Sequence, residues 1–279
     1  MLALEDEPGD ILRKAMKGNR LNAAELAKLT GIAPESVIRW SKADACDASQ
    51  EEASALATAL GLDPVNFGDS VARRWRPLDV IHPHIHSHVQ APHPSNGYIF
   101  FLDSCQRAIL VDPAGDAEPI LRALRMRKYH LQYILVTHKH DDHCDAVAEI
   151  STAYPDARIV MHPIDAPALG NLEQSVFAVK DGDELPLGDG NSVRALHTPG
   201  HTDGSVCYFM HTTLFSGDTL FAGSVGGAYG THSTYDDILT SIESRLFILP
   251  DSTHVMPGHG PPTTIRQEQE HNPFFARHS

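Results

Sequence analysis

A β-rich run, YILVT, leads without a break into His138-Lys139-His140-Asp141-Asp142-His143. No other stretch restricts the fold as much, because it sets a strand end, a loop lined with ligands and the start of a helix together. In an extended loop, residues two apart point the same way, so His138 and His140 can grip one ion. Asp142 and His143 fall where a helix begins, in DDHCDAVAEI, and turn toward a second position. Imidazole and carboxylate are the ligands that Zn²⁺ and comparable divalent ions take. A lone histidine is usually a satisfied core or surface residue. Four ligand-type residues within six positions at a strand end read instead as a metal site.

Three further residues suit the same site. His201 lies in HTPGHTDGS, Asp218 in FSGDTLF and His259 in VMPGHGPPTT, each next to a β-rich run. A glycine precedes both histidines, where the lack of a side chain lets the backbone turn sharply and aim the ligand into a cleft. From residue 77 onward, the runs GYIFFL, AILVD, YILVTH, RIVMH and VCYFM alternate with AEPILRALRM, DAVAEISTAY and DDILTSIESRLF. Strands interleaved with helices predict a layered α/β domain over 77–279.

Residues 8–69 carry helical spacing only, in DILRKAMKG, NAAELAKLTG, PESVIRW and EEASALATALG. Asn22 is placed to cap the second helix, Gly31 and Gly61 to stop helices, and Pro34 to occupy a first turn. LNAAELAKLTGIAPESVIRW followed by LATALGLD resembles the Cro/CI-like (XRE-type) helix-turn-helix domain. The resemblance implies a small all-α domain over 1–76, linker included, with a third helix that could enter a DNA major groove. On that helix Arg39 and Lys42 are the candidate DNA-binding residues. Residues 1–70 hold seven Lys or Arg against twelve Asp or Glu, and 7 − 12 = −5 is the wrong sign for neutralising phosphates. Weak DNA binding at best, and self-association into a homodimer through this domain, are the expectations.

The whole chain carries a formal charge of −14, which disfavours non-specific nucleic-acid or anionic-membrane binding. Cys46, Cys105, Cys144 and Cys207 form no CxxC pair and suit reduced thiols. No apolar run is long enough for a bilayer, and the start lacks the basic and apolar regions of a signal peptide, so a cytoplasmic protein is expected. Cys144, beside a ligand, reads as a small residue filling a helix start rather than a nucleophile. Histidines also recur at His82, His84, His86 and His88 in IHPHIHSHV, with His93 beyond. An edge strand with solvated imidazoles is the plainer reading of that block, and a second metal patch or cleft wall the sharper one.

THxHxDH, PGHT, GDTLF and PGHG, in that order, resemble the motif set of the metallo-β-lactamase superfamily. GDTLFAGS, STYDDILTSIESRLFILPD and PGHGPPTTIRQEQEHNPFF resemble its glyoxalase II-like and persulfide-dioxygenase-like branch. The resemblance implies an αββα sandwich over 77–279, with two divalent ions at one edge of the packed sheets. His138, His140 and His201 would hold the first ion; Asp142, His143 and His259 would hold the second; Asp218 would bridge. Asp142 and Asp218 would thus also be the catalytic carboxylates. Zinc leads as the metal, with iron and manganese as alternatives. The expected activity is hydrolysis of a small acyl substrate, foremost a thioester. A lactonase, a mononuclear iron persulfide dioxygenase and a ligand-sensing DNA-binding regulator are the alternatives. Only 20 residues follow His259, too few for the C-terminal helical segment of full-length glyoxalase II, and Gly227 stands where those enzymes carry a basic residue. A strict need for glutathione is therefore not expected. Tyr229 and Tyr235 are the candidate substrate contacts.

Overall fold

A computed structural model describes residues 3–78, 82–89 and 94–275. The chain begins with five helices: α1 (Pro8–Gly18), α2 (Ala23–Thr30), α3 (Pro34–Lys42), α4 (Gln50–Leu60) and α5 (Pro64–Val71). Their ends follow from local chemistry. The Asn22 side chain accepts from the Ala24 and Glu25 amides while Glu25 reaches back to the Asn22 amide, and Ser49 and Glu52 do the same for α4. Helices α2 and α4 stop at Gly31 (φ 75°) and Gly61 (φ 71°), a left-handed turn that a side chain would strain.

Among the described residues, two six-stranded sheets follow. The first runs β1 (Ile85–Val89), β2 (Asn96–Leu102), β3 (Arg107–Val111), β4 (His130–Leu135), β5 (Arg158–Met161) and β6 (Phe177–Ala178), in that spatial order. The second contains β7 (Glu184–Gly188), β8 (Asn191–His197), β9 (Val206–Met210), β10 (Thr213–Gly217), β13 (His254–Pro257) and β14 (Thr263–Thr264), ordered β14-β13-β10-β9-β8-β7. Between β10 and β13, a small hairpin pairs β11 (Leu220–Phe221) with β12 (Ser224–Val225).

Alternation along β2 explains the layering. Tyr98, Phe100 and Leu102 point into a core shared with Tyr208, Phe215 and Met256 of the second sheet. Ile99 and Phe101 point the other way, under α6 (Ala117–Arg127) and α8 (Val147–Ala153), with the four-residue α7 (Asp141–Cys144) ahead of α8. On the far side, Leu214 and Val255 of the second sheet meet α9 (Tyr235–Ser241) and α10 (Ile265–His271). Helices thus cover both outer faces of two packed sheets, which is the αββα arrangement.

The helical unit joins that outer layer. Leu12, Leu56 and Phe67 belong to the same buried cluster as Ile238, Leu246 and Phe274. Polar ties reinforce the join: the Asp63 amide donates to the Pro273 carbonyl (2.8 Å), Lys14 Nζ to the Val225 carbonyl (2.7 Å), and Trp75 stacks on His271 (5.3 Å). Each fully buried leucine or phenylalanine here contributes roughly 1.5–3 kcal/mol.

The His82–His88 block ends on an edge strand. β1 lies at the rim of the first sheet, His84 and His86 are exposed, and His82 Nε2 lies 3.2 Å from the Thr213 hydroxyl. His88 rests on Gly97, and burial pushes its pKa down to about 4. Among the described residues, no three ligand atoms converge in this block. His93 lies outside the described residues.

Candidate metal centre

β3 and β4 run parallel, and their C-terminal ends build the floor of the site. Asp112 follows β3, and its Oδ1 accepts the Thr137 amide (2.8 Å). Its Oδ2 accepts the Thr137 hydroxyl (2.7 Å) and lies 2.9 Å from His143 Nδ1. One buried carboxylate therefore fixes the loop that carries His138 and the helix turn that carries His143. In α7, Asp142 and His143 swing away from the extended His138–His140 pair.

Two groups of ligand atoms result. His138, His140, His201 and Asp218 converge in one, and Asp142, His143 and His259 in the other, each with atoms within 4.8 Å of one another. In the first group His140 Nδ1 lies 3.0 Å from His138 Nε2 and 2.9 Å from His201 Nε2. In the second, His259 Nε2 lies 3.4 Å from both Asp142 Oδ2 and His143 Nε2. Asp218 reaches both: Oδ2 is 3.4 Å from His201 Nε2 and 3.5 Å from His259 Nε2, and Oδ1 is 3.4 Å from His143 Nε2. All seven residues singled out from the sequence thus lie together.

The rear nitrogens decide which atoms are free to ligate. Thr137 gives its one hydroxyl proton to Asp112, so at 3.0 Å it accepts from His138 Nδ1. His143 Nδ1 faces the Asp112 carboxylate, His201 Nδ1 the Gly227 carbonyl (2.7 Å) and His259 Nδ1 the Pro94 carbonyl (3.0 Å). Each of these acceptors requires a proton on Nδ1 and turns Nε2 toward the cluster.

The electrostatics of the two groups differ. Burial and the neighbouring imidazoles hold His138 well below the usual histidine range, and burial brings His201 down to about 4. Both stay neutral, as ligands must. Burial also opposes charge on His259, but the Asp142 contact and nearby Asp218 and Glu5 outweigh it and raise its pKa to about 9. Asp142 is held well below the usual carboxylate range by His259. Aprotic nitrogens facing one another, a carboxylate-rich second position that favours positive charge, and a buried Asp218 Oδ1 without a hydrogen-bond partner among the described residues all match a divalent cation. The His/Asp cluster is able to bind metal ions.

Glycines give the ligands room in two distinct ways. Gly200, before His201, has φ 147°, and a Cβ there would strike Ile238. Gly258, before His259, is not in the left-handed region; a Cβ there would strike Asp218 Oδ1 and His143. The sharp turn expected at both histidines holds at the first, while close approach of the backbone to the ligands accounts for the second.

The remaining candidates divide. Tyr229 is 64% exposed and stands edge-on to His140 and His201, with ring centroids 6.1 and 5.5 Å away. Gly227 lies under that ring, where a side chain would collide with it. Tyr235 is half-buried between Gly18 and Phe274, so most of its ring packs α9 against α1. Arg39 and Lys42 sit exposed on α3, and Arg39 pairs with Asp47 at 2.8 Å. The Cys144 thiol is buried against the His140 carbonyl (3.3 Å), and burial pushes its pKa up to about 12.

Sequence reasoning missed Asp112, Glu5 and Lys17. Glu5 Oε2 lies 3.8 Å from His259 Nδ1, and Lys17 Nζ donates to the Ala228 carbonyl (3.0 Å) beside Tyr229. Asp112 had a visible signal, an aspartate ending the apolar run AILV beside a ligand-bearing strand. The other two lie in the helical unit, and nothing local marks them.

The profile of the Metallo-beta-lactamase superfamily matches residues 92–264, and the chain belongs to that superfamily. Over 198 residues it is 32% identical to a probable metallo-hydrolase, YqgX, of Bacillus subtilis (strain 168), covering 65% of this chain and 93% of that protein. It is 35% identical over 172 residues to a hydroxyacylglutathione hydrolase of Tolumonas auensis, covering 60% of this chain and 63% of that protein. The match therefore spans less than two thirds of the hydroxyacylglutathione hydrolase. Among solved structures, TTHA1623 in a di-iron-bound form superposes with a TM-score of 0.59 at 31% identity, covering 68% of this chain and all of that one (100%). Among the described residues, no helix is long and apolar enough to cross a membrane.

Proposed function

We propose that this chain is a dinuclear metal-dependent hydrolase of a small acyl substrate, with a thioester as the leading class. The observation that carries the reading is Asp218, whose two oxygens divide between both ligand groups. His138, His140 and His201 would hold the first ion and Asp142, His143 and His259 the second. When bound, such a pair supplies Lewis acidity and a water that ionises near neutral pH. Zinc leads as the metal and iron is its main rival, since a relative of similar fold holds two irons.

The chain's own residues arrange the rest. Asp112, the Gly227 carbonyl and the Pro94 carbonyl hold the imidazoles with Nε2 forward. Asp142 and Asp218 remain ionised, Asp142 through His259 and Asp218 through the imidazoles that outweigh its burial. Tyr229 lies over the rim where an acyl group would enter. In the reaction, the oxygen of water bonds to the acyl carbon and the carbon–sulfur bond breaks. The electron pair leaves with sulfur, which takes one proton of the water to become the thiol, and the other proton goes to solvent as the acid is released as carboxylate.

The helical unit reads as a Cro/CI-like domain with weak DNA contact at best. Pairing of Arg39 with Asp47 supports that reading, and exposed Leu29 and Ile38 favour self-association. The central test is metal per chain by elemental analysis, alongside turnover of S-lactoylglutathione, a non-glutathione thioester and a lactone. Near two ions per chain and thioester turnover are expected. One iron per chain, with oxygen uptake on glutathione persulfide and no ester cleavage, would replace the hydrolase by the dioxygenase.

A further inference from the structure

Between α1 and the segment Gly226–Asp236 lies a cleft of about 600 Å³, a size typical of small-ligand sites. Resting on the hydrolase reading above, we propose that this cleft is the subsite for an anionic leaving group, so that the helical unit supplies part of substrate recognition.

The cleft shares a wall with the metal centre. Gly226 packs on the Asp218 backbone and on His201, the Gly227 carbonyl accepts from His201 Nδ1, and Tyr229 stands edge-on to His140. A thioester with its carbonyl at the ligand groups has its leaving group within reach of this neighbouring space.

Charge sets the class of ligand. The lining holds Arg13, Lys14, Lys17 and Arg20 against Asp10 and Asp236, and 4 − 2 gives +2 within a chain of net −14. Arg13 is engaged by Asp10 and the Ser41 and Ala43 carbonyls, and Lys14 by Asp6 and the Val225 carbonyl. Lys17 and Arg20 have no carboxylate partner among the described residues. Lys17 is nevertheless positioned: it donates to the Ala228 carbonyl and lies 5.0 Å from the Tyr229 ring centroid. Arg20 follows α1 in the left-handed region (φ 54°), with its amide on the Lys17 carbonyl.

Both cations also suit the negative end of a helix, a role that favours the helix but makes no choice among ligands. With Gly227 in place of a basic residue, the 226–236 loop carries no Lys or Arg of its own. Lys17 and Arg20 approach the same loop from another part of the chain, and the bare glycine leaves space for Tyr229 between them and the imidazoles.

The test uses the full-length, metal-loaded protein and two inert thioethers, S-methylglutathione for carboxylates and S-methyl-coenzyme A for phosphates, with S-methylglutathione dimethyl ester as control. Calorimetry on wild type should give binding of at least one anionic thioether about tenfold tighter than the ester, weakening as salt rises. Lys17→Glu combined with Arg20→Glu should erase that preference, and Arg125→Ala, a surface change on α6, should keep it. Equal binding of acid and ester by wild type, or an unchanged preference in the double variant, overturns the subsite. A preference measured this way needs no turnover, so a wild type that binds the anion yet cleaves no thioester would sink the hydrolase reading alone. In thioester assays the same double variant should raise KM for anionic substrates more than for neutral ones.

Discussion

Helices α1 and α3 belong to one helical unit and carry similar cations, yet they do different work. α1 meets the αββα domain through Lys14 and Lys17, and it lines the cleft beside the His/Asp cluster. α3 directs its contacts inward to its own unit: Arg39 and Trp40 both reach Asp47, and its end takes Arg13 through the Ser41 carbonyl. A cation's meaning thus depends on what the fold sets opposite it. Changes on α1 should register in turnover, and changes on α3 should not.

The strongest response should come from the His/Asp cluster itself. Asp218→Ala should lower thioester turnover by about 10³-fold or more and reduce metal content, because it removes the shared ligand. Far-ultraviolet circular dichroism should still show the helices. Retained turnover would remove the centre, and with it any reason for α1 to matter. Phe67→Ala, at a fully buried position of α5, should cost about 3–5 kcal/mol. Since Phe67 shares a cluster with Phe274, calorimetry should give one unfolding transition rather than two. Two separate transitions would show the helical unit to be an appendage.

A smaller effect is expected on α3. Arg39→Ala should change turnover by less than about twofold, as surface changes usually do. Selection against random duplex DNA should return no tight site at physiological salt. A defined palindrome lost with Arg39→Ala would turn α3 into a reading helix and reverse the weak-binding reading. The smallest effect belongs to Cys144→Ala, with turnover within about twofold of wild type and no reaction of the native thiol with alkylating reagents at pH 8. The sign follows from a thiol pKa near 12: at pH 8 the group is protonated and poorly nucleophilic.

Much of the site could be read in the sequence because four of its seven ligands are local and the other three, His201, Asp218 and His259, each stand in a short Gly-containing motif beside a β-rich run. His138 to His143 come from one loop and one turn, and their spacing alone separates two directions. The caps at Asn22 and Gly31 depend on neighbours within a few residues, so they too could be read. Helix α5 was not singled out, although Asp63 caps it and Pro64 opens it, because PVNFGDSV lacks a clear apolar period. Asp112 acts across 25 residues on Thr137 and 31 on His143, and Lys17 across 211 on Ala228. Such pairings arise only once the sheets are packed. The cleft was hidden for the same reason, since its two walls lie about three quarters of the chain apart.

Arg13 gives the helical unit one more consequence. It holds the Ser41 and Ala43 carbonyls at the end of α3 while its own helix lines the cleft. If occupation of the cleft shifts α1, binding at α3 and binding in the cleft become one linked equilibrium. Each ligand must then change the affinity of the other by the same factor. A partner that seats on α3 would act as an effector of the cleft, and a filled cleft would report its state to that partner.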